Sequence, residues 1–290
     1  MLRNTTLGAA ALGFAPGLFA AAPSDRYQIG IQEYTFNRWL KSGKLKHLDY
    51  PTFAAEKLGV NIIEYWSTPF AGKHTDKAFV GELVKRTKDA NLENLLILVG
   101  NKDRIDAPDA AQRDRSLDAH KAWIDCAAQM GCKAIRVDAR SAGDPDINLK
   151  NAVDGLGRLC DYAKNTPVKV VVEPHGGHSQ NPDWLVRLHK EIARPNFGLL
   201  PDFNNFGKYD RYDGVTKCLP HAVAVCAKSL NFDDKGNETR TDFYRMLEII
   251  EASTFKGVIS IEFEGHNVDP VEGALQTKAL LLKAIAAAKK

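Results

Sequence analysis

The chain has 290 residues, of which 44% are hydrophobic and 26% are charged, an ordinary composition for a globular protein that buries a core. The 39 basic and 36 acidic residues leave a net charge of +3, and no run of Lys or Arg exceeds two residues. This balance gives no strongly basic segment that would attract nucleic acid or an acidic membrane, so we expect neither as a partner.

The first 22 residues differ from the remainder of the chain. They carry one charge, Arg3, and then small and apolar residues that end in three alanines. Such a segment is typical of an export signal and is too short to span a bilayer. We therefore predict an exported, periplasmic protein whose mature domain is 23–290. The alternative is a cytoplasmic protein with a disordered N-terminal extension.

From residue 23 onward, short apolar runs alternate with longer amphipathic stretches. The apolar runs cover 27–36, 61–66, 95–100, 134–140, 169–175, 197–203, 222–229 and 257–263. Their length and β-branched content are typical of buried parallel strands. The helical patterns cover 49–59, 76–90, 109–130, 148–164, 182–193, 210–219, 242–253 and 270–288.

Eight strand–helix units without an obvious linker predict a single α/β domain, a (β/α)8 TIM barrel. An open doubly wound sheet is the structural alternative, but no GxGxxG motif follows the first strand. The five cysteines are odd in number and fit no disulfide framework, so we expect buried free thiols.

Polarity along the strands predicts which side chains point into the barrel. In the eighth strand Ile259 and Ile261 share one face, whereas Ser260, Glu262 and Glu264 share the other. The branched apolar face must pack on helices, so the polar face points inward. Its charged members lie at the C-terminal end of the strand, where active sites of this fold occur.

The same alternation on the other strands brings ten charged or titratable side chains to one barrel mouth. They are Glu64, Asp138, Glu173, Asp202, Glu262 and Glu264, together with Arg136, Arg140, Lys228 and His175. So many carboxylates repel one another unless they are paired or bind a cation, and we predict a divalent metal: Mn, Mg, Zn or Co. An ion-paired mouth without metal is the alternative.

Four segments at these positions resemble the xylose isomerase-like TIM barrel family of sugar phosphate isomerases and epimerases, and especially its exported bacterial branch. They are VVVEPHGG (170–177), LLPDFNNF (199–206), VCAKSLNFD (225–233) and VISIEFEG (258–265). The family pattern supplies Glu, Asp, His and Glu ligands from strands five to eight. The resemblance therefore implies Glu173, Asp202 and Glu262 as metal ligands.

The third ligand position departs from the family pattern, because Cys226 stands where His is usual. Either Cys226 is the fourth ligand or the ligand is lost, in which case His175 would compensate. A second departure is Asn205, where many members carry His.

The chemistry that the resemblance implies is proton removal beside a carbonyl, through an enediolate. Glu173, His175 and Glu262 are then the catalytic candidates. The candidates for holding a small-molecule sugar are Glu64, Arg136, Lys228 and Glu264. Export would favour a non-phosphorylated keto-sugar. The alternatives are a 3-keto-glycoside lyase or hydratase, a non-catalytic carbohydrate-binding barrel, and a His-rich three-zinc apurinic-site endonuclease.

Overall fold

The computed structural model describes residues 26–289. The predicted export signal, residues 1–22, lies outside this range. No helix within the described residues is both long enough and apolar enough to cross a membrane. All five cysteines fall within the range, and each is buried as a free thiol.

Eight parallel strands form one sheet. They are β1 (Tyr27–Gln32), β2 (Ile62–Trp66), β3 (Glu93–Val99), β4 (Ala134–Val137), β5 (Lys169–Val172), β6 (Phe197–Leu199), β7 (Val225–Ser229) and β8 (Gly257–Phe263). The strand order is β6-β5-β4-β3-β2-β1-β8-β7. Parallel bridges Leu199–Ala222 and Asp202–Cys226 join β6 to β7, so the sheet curls back on itself. The fold is the predicted single-domain (β/α)8 TIM barrel.

Nine α-helices lie between and after the strands of the described chain. They are α1 (Asn37–Ser42), α2 (Tyr50–Leu58), α3 (Lys77–Asp89), α4 (Ala110–Gln129), α5 (Pro145–Ala163), α6 (Pro182–Ile192), α7 (Arg211–Cys218), α8 (Phe243–Ala252) and α9 (Pro270–Ala288). From α3 onward, an Asp or Asn side chain accepts hydrogen bonds from the first free backbone N–H groups of each helix. Each such cap stabilises its helix by about 1 kcal/mol.

The apolar residues divide into two buried layers, as strand alternation requires. Val170, Val172, Ile259 and Ile261 belong to the large layer between the strands and the helices. A smaller cluster, which includes Val171, fills the barrel interior. The predicted faces of the fifth and eighth strands are therefore confirmed, and the polar partners of these residues point into the barrel.

Five strands, β1, β3, β4, β5 and β6, end earlier than their apolar runs. The first run was expected to continue to residue 36, but β1 ends at Gln32 and a short 3₁₀ helix, Glu33–Phe36, follows. The buried Glu33 carboxylate explains the turn, because it accepts the backbone N–H of Trp66 (2.9 Å) and pairs with His47 Nδ1 (2.6 Å). β4 and β5 end at Val137 and Val172, which leaves polar residues just beyond the ladder.

Candidate metal centre

Four side chains that can ligate a metal converge at the C-terminal mouth of the barrel. One ligand atom from each of Glu173, Asp202, Cys226 and Glu262 lies within 4.8 Å of the others, and all four residues are buried. Each residue comes from a different strand or strand end between β5 and β8. The three carboxylates singled out from the sequence, and the cysteine at the departing position, are thus brought together.

Asp202 is oriented by its own backbone turn. Its Oδ1 atom accepts the backbone N–H groups of Asn204 (2.6 Å) and Asn205 (2.8 Å). The Oδ2 atom is fully buried and has no hydrogen-bond donor; its nearest cation is Lys228 Nζ at 3.8 Å. A buried carboxylate oxygen without a donor is costly unless a cation occupies the space before it. This orphaned atom therefore fits a metal ligand.

Glu173 follows directly after β5 and is held from two sides. Arg136 Nε lies 3.1 Å from Oε2, and the Asn205 amide donates to Oε1 at 3.4 Å. Asn205 stands at the second departure from the family pattern, and here it supports a ligand candidate. Burial, together with the charges of Asp202 and Glu262, raises the pKa of Glu173 to about 8 against the opposing effect of Arg136.

Glu262 and Lys228 are direct cross-strand neighbours in the β7–β8 ladder. Lys228 Nζ lies 3.1 Å from Glu262 Oε2 and 2.8 Å from Glu264 Oε1. The Cys226 thiol also donates to Glu262 Oε2, at 3.2 Å. Burial alone would raise the pKa of Glu262, but the Lys228 ammonium and the thiol hydrogen bond bring it below its ordinary value.

The charges around the cluster do not balance without a further cation. Four carboxylates, Glu173, Asp202, Glu262 and Glu264, face the two cations Arg136 and Lys228. Burial, and after it the neighbouring carboxylates, raise the pKa of both Glu173 and Asp202 against the opposing charges of Arg136 and Lys228. A divalent cation would neutralise the excess and keep both groups ionised. The donor set and its charge therefore fit a divalent metal.

His175 lies outside the four-residue cluster. Its Nδ1 atom is 2.8 Å from Asp138 Oδ1, and its side chain is 35% exposed. Asp138 also pairs with Arg136 and, at 3.8 Å, with Arg140. These cations, with the His175 hydrogen bond, outweigh burial and hold the pKa of Asp138 well below its usual range. In this structure His175 is oriented by a carboxylate rather than placed among the ligand candidates.

Glu64 is fully buried inside the barrel. The Ser260 hydroxyl donates to its Oε1 atom, while Oε2 has no hydrogen-bond donor. Burial raises the pKa of Glu64 to about 8, and the Ser260 hydrogen bond opposes this shift. The alternative in which charged groups at the mouth neutralise one another describes Arg136, Asp138 and Arg140, which form ion pairs. Glu64 is not part of these pairs, because its partner is the Ser260 hydroxyl. A contact between Glu64 and a sugar substrate is not tested by this structure and remains a prediction.

Tyr34 is a feature of the mouth that the sequence analysis missed. Its ring packs edge-on against Trp66, with ring centroids 5.0 Å apart. Burial, followed by the negative charges of Glu264 and Glu262, raises the pKa of the Tyr34 hydroxyl. Tyr34 is two residues after Gln32 and four after Gly30, so it continues the alternation that turns these residues of β1 toward the barrel interior. This alternation is the sequence pattern from which Tyr34 could have been predicted. Tyr34 and Trp66 form an aromatic wall beside the carboxylates.

Among residues 26–289, this cluster is the one group of three or more His, Cys, Asp or Glu side chains close enough together to bind a metal ion. It contains no histidine. The described chain therefore does not present the His-rich three-zinc centre that an apurinic-site endonuclease of this fold would need. Substrate-binding candidates at the mouth are Arg136 and Lys228, both buried, and Glu264, whose side chain is 31% exposed.

Comparison with solved structures identifies the same barrel in several proteins, among them two sugar epimerases. The chain resembles 3-keto-D-glucoside 4-epimerase from E. coli at 17% identity and a TM-score of 0.69, over 88% of this chain and 99% of that one. It resembles the IOLI protein, solved with a zinc atom, at 14% identity and a TM-score of 0.70, over 89% and 98%. D-psicose 3-epimerase from Clostridium cellulolyticum, solved with D-tagatose, matches at 13% identity and a TM-score of 0.66, over 90% and 96%.

At these identities the structural likeness establishes the fold. Among curated proteins, none matches the sequence. The family model described as xylose isomerase-like TIM barrel matches residues 53–285, which is most of the chain. The chain therefore belongs to the xylose isomerase-like TIM barrel family.

Proposed function

We propose that this protein is a metal-dependent isomerase or epimerase of a non-phosphorylated keto-sugar. The observation that carries the proposal is the buried cluster of Glu173, Asp202, Cys226 and Glu262, with Asp202 Oδ2 left without a donor. The sugar epimerases of similar fold support the substrate class. The zinc-bound neighbour supports the metal.

Glu173, Asp202, Glu262 and Cys226 would hold a divalent cation. When bound, the cation supplies electrophilic stabilisation of negative charge at a substrate carbonyl. Arg136 and Lys228 are buried cations beside the cluster, suited to donate hydrogen bonds to substrate oxygens. The aromatic wall of Tyr34 and Trp66 would exclude water from one side of the sugar.

Two groups are candidates for moving the proton beside the carbonyl. His175 has its Nδ1 atom fixed by Asp138, which leaves Nε2 for substrate. Glu262 has one oxygen committed to Lys228 and Cys226. Removal of a proton α to the carbonyl gives an enediolate, and return of a proton to a different carbon, or to the other face, gives the isomer or the epimer.

A lyase acting on 3-keto-glycosides is the second candidate. The observation that favours it is that a single partly exposed imidazole, His175, lies on one side of the cluster, where Asp138 orients it. A single base can remove a proton, and the same enediolate expels a leaving group one carbon away. Proton NMR of reactions in deuterium oxide separates these outcomes, because an epimerase gives a deuterated sugar and a lyase gives an unsaturated product.

The proposal is tested first by metal content. We expect about one divalent ion per chain in the purified protein, measured by elemental analysis. The Glu173→Gln/Asp202→Asn variant should lose the ion, because two of three carboxylate ligands become weakly donating amides. Glu82→Gln, which alters an exposed carboxylate on α3, is the matched control and should keep it.

Turnover is the second measurement. Glu173→Gln should lower kcat/KM on a keto-sugar by about a thousandfold or more, with the circular dichroism spectrum unchanged. Activity equal to wild type in that variant would refute the assignment. Tight sugar binding with no product and no bound metal would instead favour the non-catalytic carbohydrate-binding barrel.

A further inference from the structure

Cys226 occupies the one non-carboxylate position of the cluster. It is fully buried in β7, opposite Ser260 in the ladder, and its thiol reaches Glu262 Oε2 at 3.2 Å. The backbone of Cys226 also closes the barrel: its N–H donates to Pro201 (2.9 Å) and its C=O accepts from Phe203 (3.0 Å). Because these bonds bracket Asp202, the sulfur and the orphaned Asp202 oxygen are held on adjacent strands.

The chemical consequence is a mixed donor set. Three carboxylate oxygens are hard ligands, which suit Mg²⁺ and Mn²⁺ as well as Zn²⁺. A thiolate is a soft ligand that selects thiophilic ions such as Zn²⁺ and discriminates against Mg²⁺ and Mn²⁺. The thiolate also brings a negative charge that an imidazole lacks. The Lys228 ammonium, on the next inward position of the same strand, lies where it compensates that charge.

We propose that Cys226 binds the metal as a thiolate and makes this site selective for a thiophilic divalent ion, Zn²⁺ or Co²⁺, over Mg²⁺ and Mn²⁺. The inference rests on the metal site of the proposed function and names the class of ion that the site takes. On binding, the S–H bond breaks and the sulfur electron pair forms the bond to the metal. The proton is released to solvent, and no change of oxidation state is involved.

The experiment is a titration of the chelator-treated chain with Co²⁺, followed by absorption spectroscopy. A thiolate bound to Co²⁺ gives an intense near-ultraviolet charge-transfer band, whereas carboxylate ligands alone do not. We expect this band in the wild type and its loss in Cys226→Ser and Cys226→His. Cys218→Ser is the matched control, since Cys218 is equally buried but lies in α7, outside the cluster, and should keep the band.

Ion selectivity is the second readout. We expect the ratio of Mn²⁺ to Zn²⁺ dissociation constants to fall by about tenfold or more in Cys226→Ser relative to the wild type. Binding should also release a proton in the wild type, detectable as buffer-dependent heat in calorimetry. If Cys226→Ser does not fold, the wild-type spectrum and Cys226→His, which restores a bulkier ligand, still provide the comparison.

The failures of the two proposals are distinguishable. Co²⁺ bound by the wild type without the band, or an unchanged ion ratio in Cys226→Ser, would overturn the role of Cys226 while leaving the carboxylate site intact. No binding of Co²⁺ or Zn²⁺ by the wild type would overturn both this inference and the metal-dependent function.

Discussion

The barrel mouth holds two buried carboxyl groups that differ in their neighbours. Glu262 on β8 and Glu64 on β2 are both inside the barrel, and both are almost completely removed from solvent. Glu262 lies 3.1 Å from the Lys228 ammonium, whereas Glu64 has the uncharged Ser260 hydroxyl as its partner. The two side chains belong to the same chemical type at similar depth, and the largest difference between their surroundings is the Lys228 ammonium beside Glu262.

That difference separates their protonation. Burial raises the pKa of Glu64 to about 8, so this group is mostly a neutral acid at pH 7. At Glu262 burial acts in the same direction, but Lys228 reverses the result and lowers the pKa. Lys228 therefore outweighs burial at Glu262, whereas the charge of Arg136 does not outweigh burial at Glu64. The metal centre is built on the side that carries the cations.

Replacing Lys228 is expected to have the largest effect on stability, because it removes the cation that distinguishes Glu262 from Glu64. Lys228→Met removes the ammonium that faces Glu262 and Glu264 and leaves buried carboxylates uncompensated. We expect the free energy of unfolding, measured by urea denaturation at pH 7 after metal removal, to fall by about 3–5 kcal/mol. The loss should shrink at low pH, where these carboxyls bind protons in both states.

A double variant tests the cause of that loss. Lys228→Met/Glu262→Gln removes the ammonium and one of the charges that it compensates, so it should be more stable than Lys228→Met alone. Equal stability of the two variants would mean that the methionine packs badly and that the charge on Glu262 is not responsible.

Replacing Glu64 tests the other side of the comparison. Because its pKa rises from the ordinary 4.5 to about 8 on folding, the folded chain binds a proton that the unfolded chain releases between these pH values. The free energy of unfolding must then fall as pH increases through this window. Glu64→Gln mimics the neutral acid and keeps an acceptor for Ser260. It should stabilise the metal-free chain by about 3 kcal/mol at pH 7.

The pH dependence supplies the control for Glu64→Gln. At pH 4 the carboxyl is mostly protonated in both the folded and the unfolded chain, so the variant and the wild type should unfold at nearly the same urea concentration. A difference that persisted at pH 4 would assign the effect to packing. No difference at pH 7 would mean that Glu64 is ionised in the folded chain.

Strand alternation predicted much of this site from the sequence. Parallel strands meet at one edge, so polar residues at the ends of β5, β6 and β8 had to converge, and Glu173, Asp202 and Glu262 lie together. The eight strands and the starts of most later helices follow from the same periodicity; α5 is the exception, because it begins at Pro145 and was predicted to begin at residue 148. These features depend on local patterns of a few residues, which a sequence displays directly.

The pairing of charged groups could not be predicted in the same way. Alternation gives the face of a side chain but not which partner it reaches, so His175 was equally compatible with a ligand role and with its bond to Asp138. The first strand ends at Gln32 rather than at residue 36, because the turn depends on Glu33 contacting Trp66 and His47, which are distant in sequence. Such contacts appear when the chain is folded.

An exposed ion pair on α6 provides a contrast to the buried pair of Lys228 and Glu262. Arg187 lies on α6 and pairs with Asp146 (2.5 Å) and Glu191 (2.8 Å), which are shorter distances than that between Lys228 and Glu262. Its side chain is 52% exposed, so water and salt solvate all three partners when the pair is broken. We expect Arg187→Gln to leave the urea midpoint unchanged within experimental error at pH 7. A loss comparable to that of Lys228→Met would show that distance, rather than burial, decides how strongly an ion pair in this protein contributes to stability.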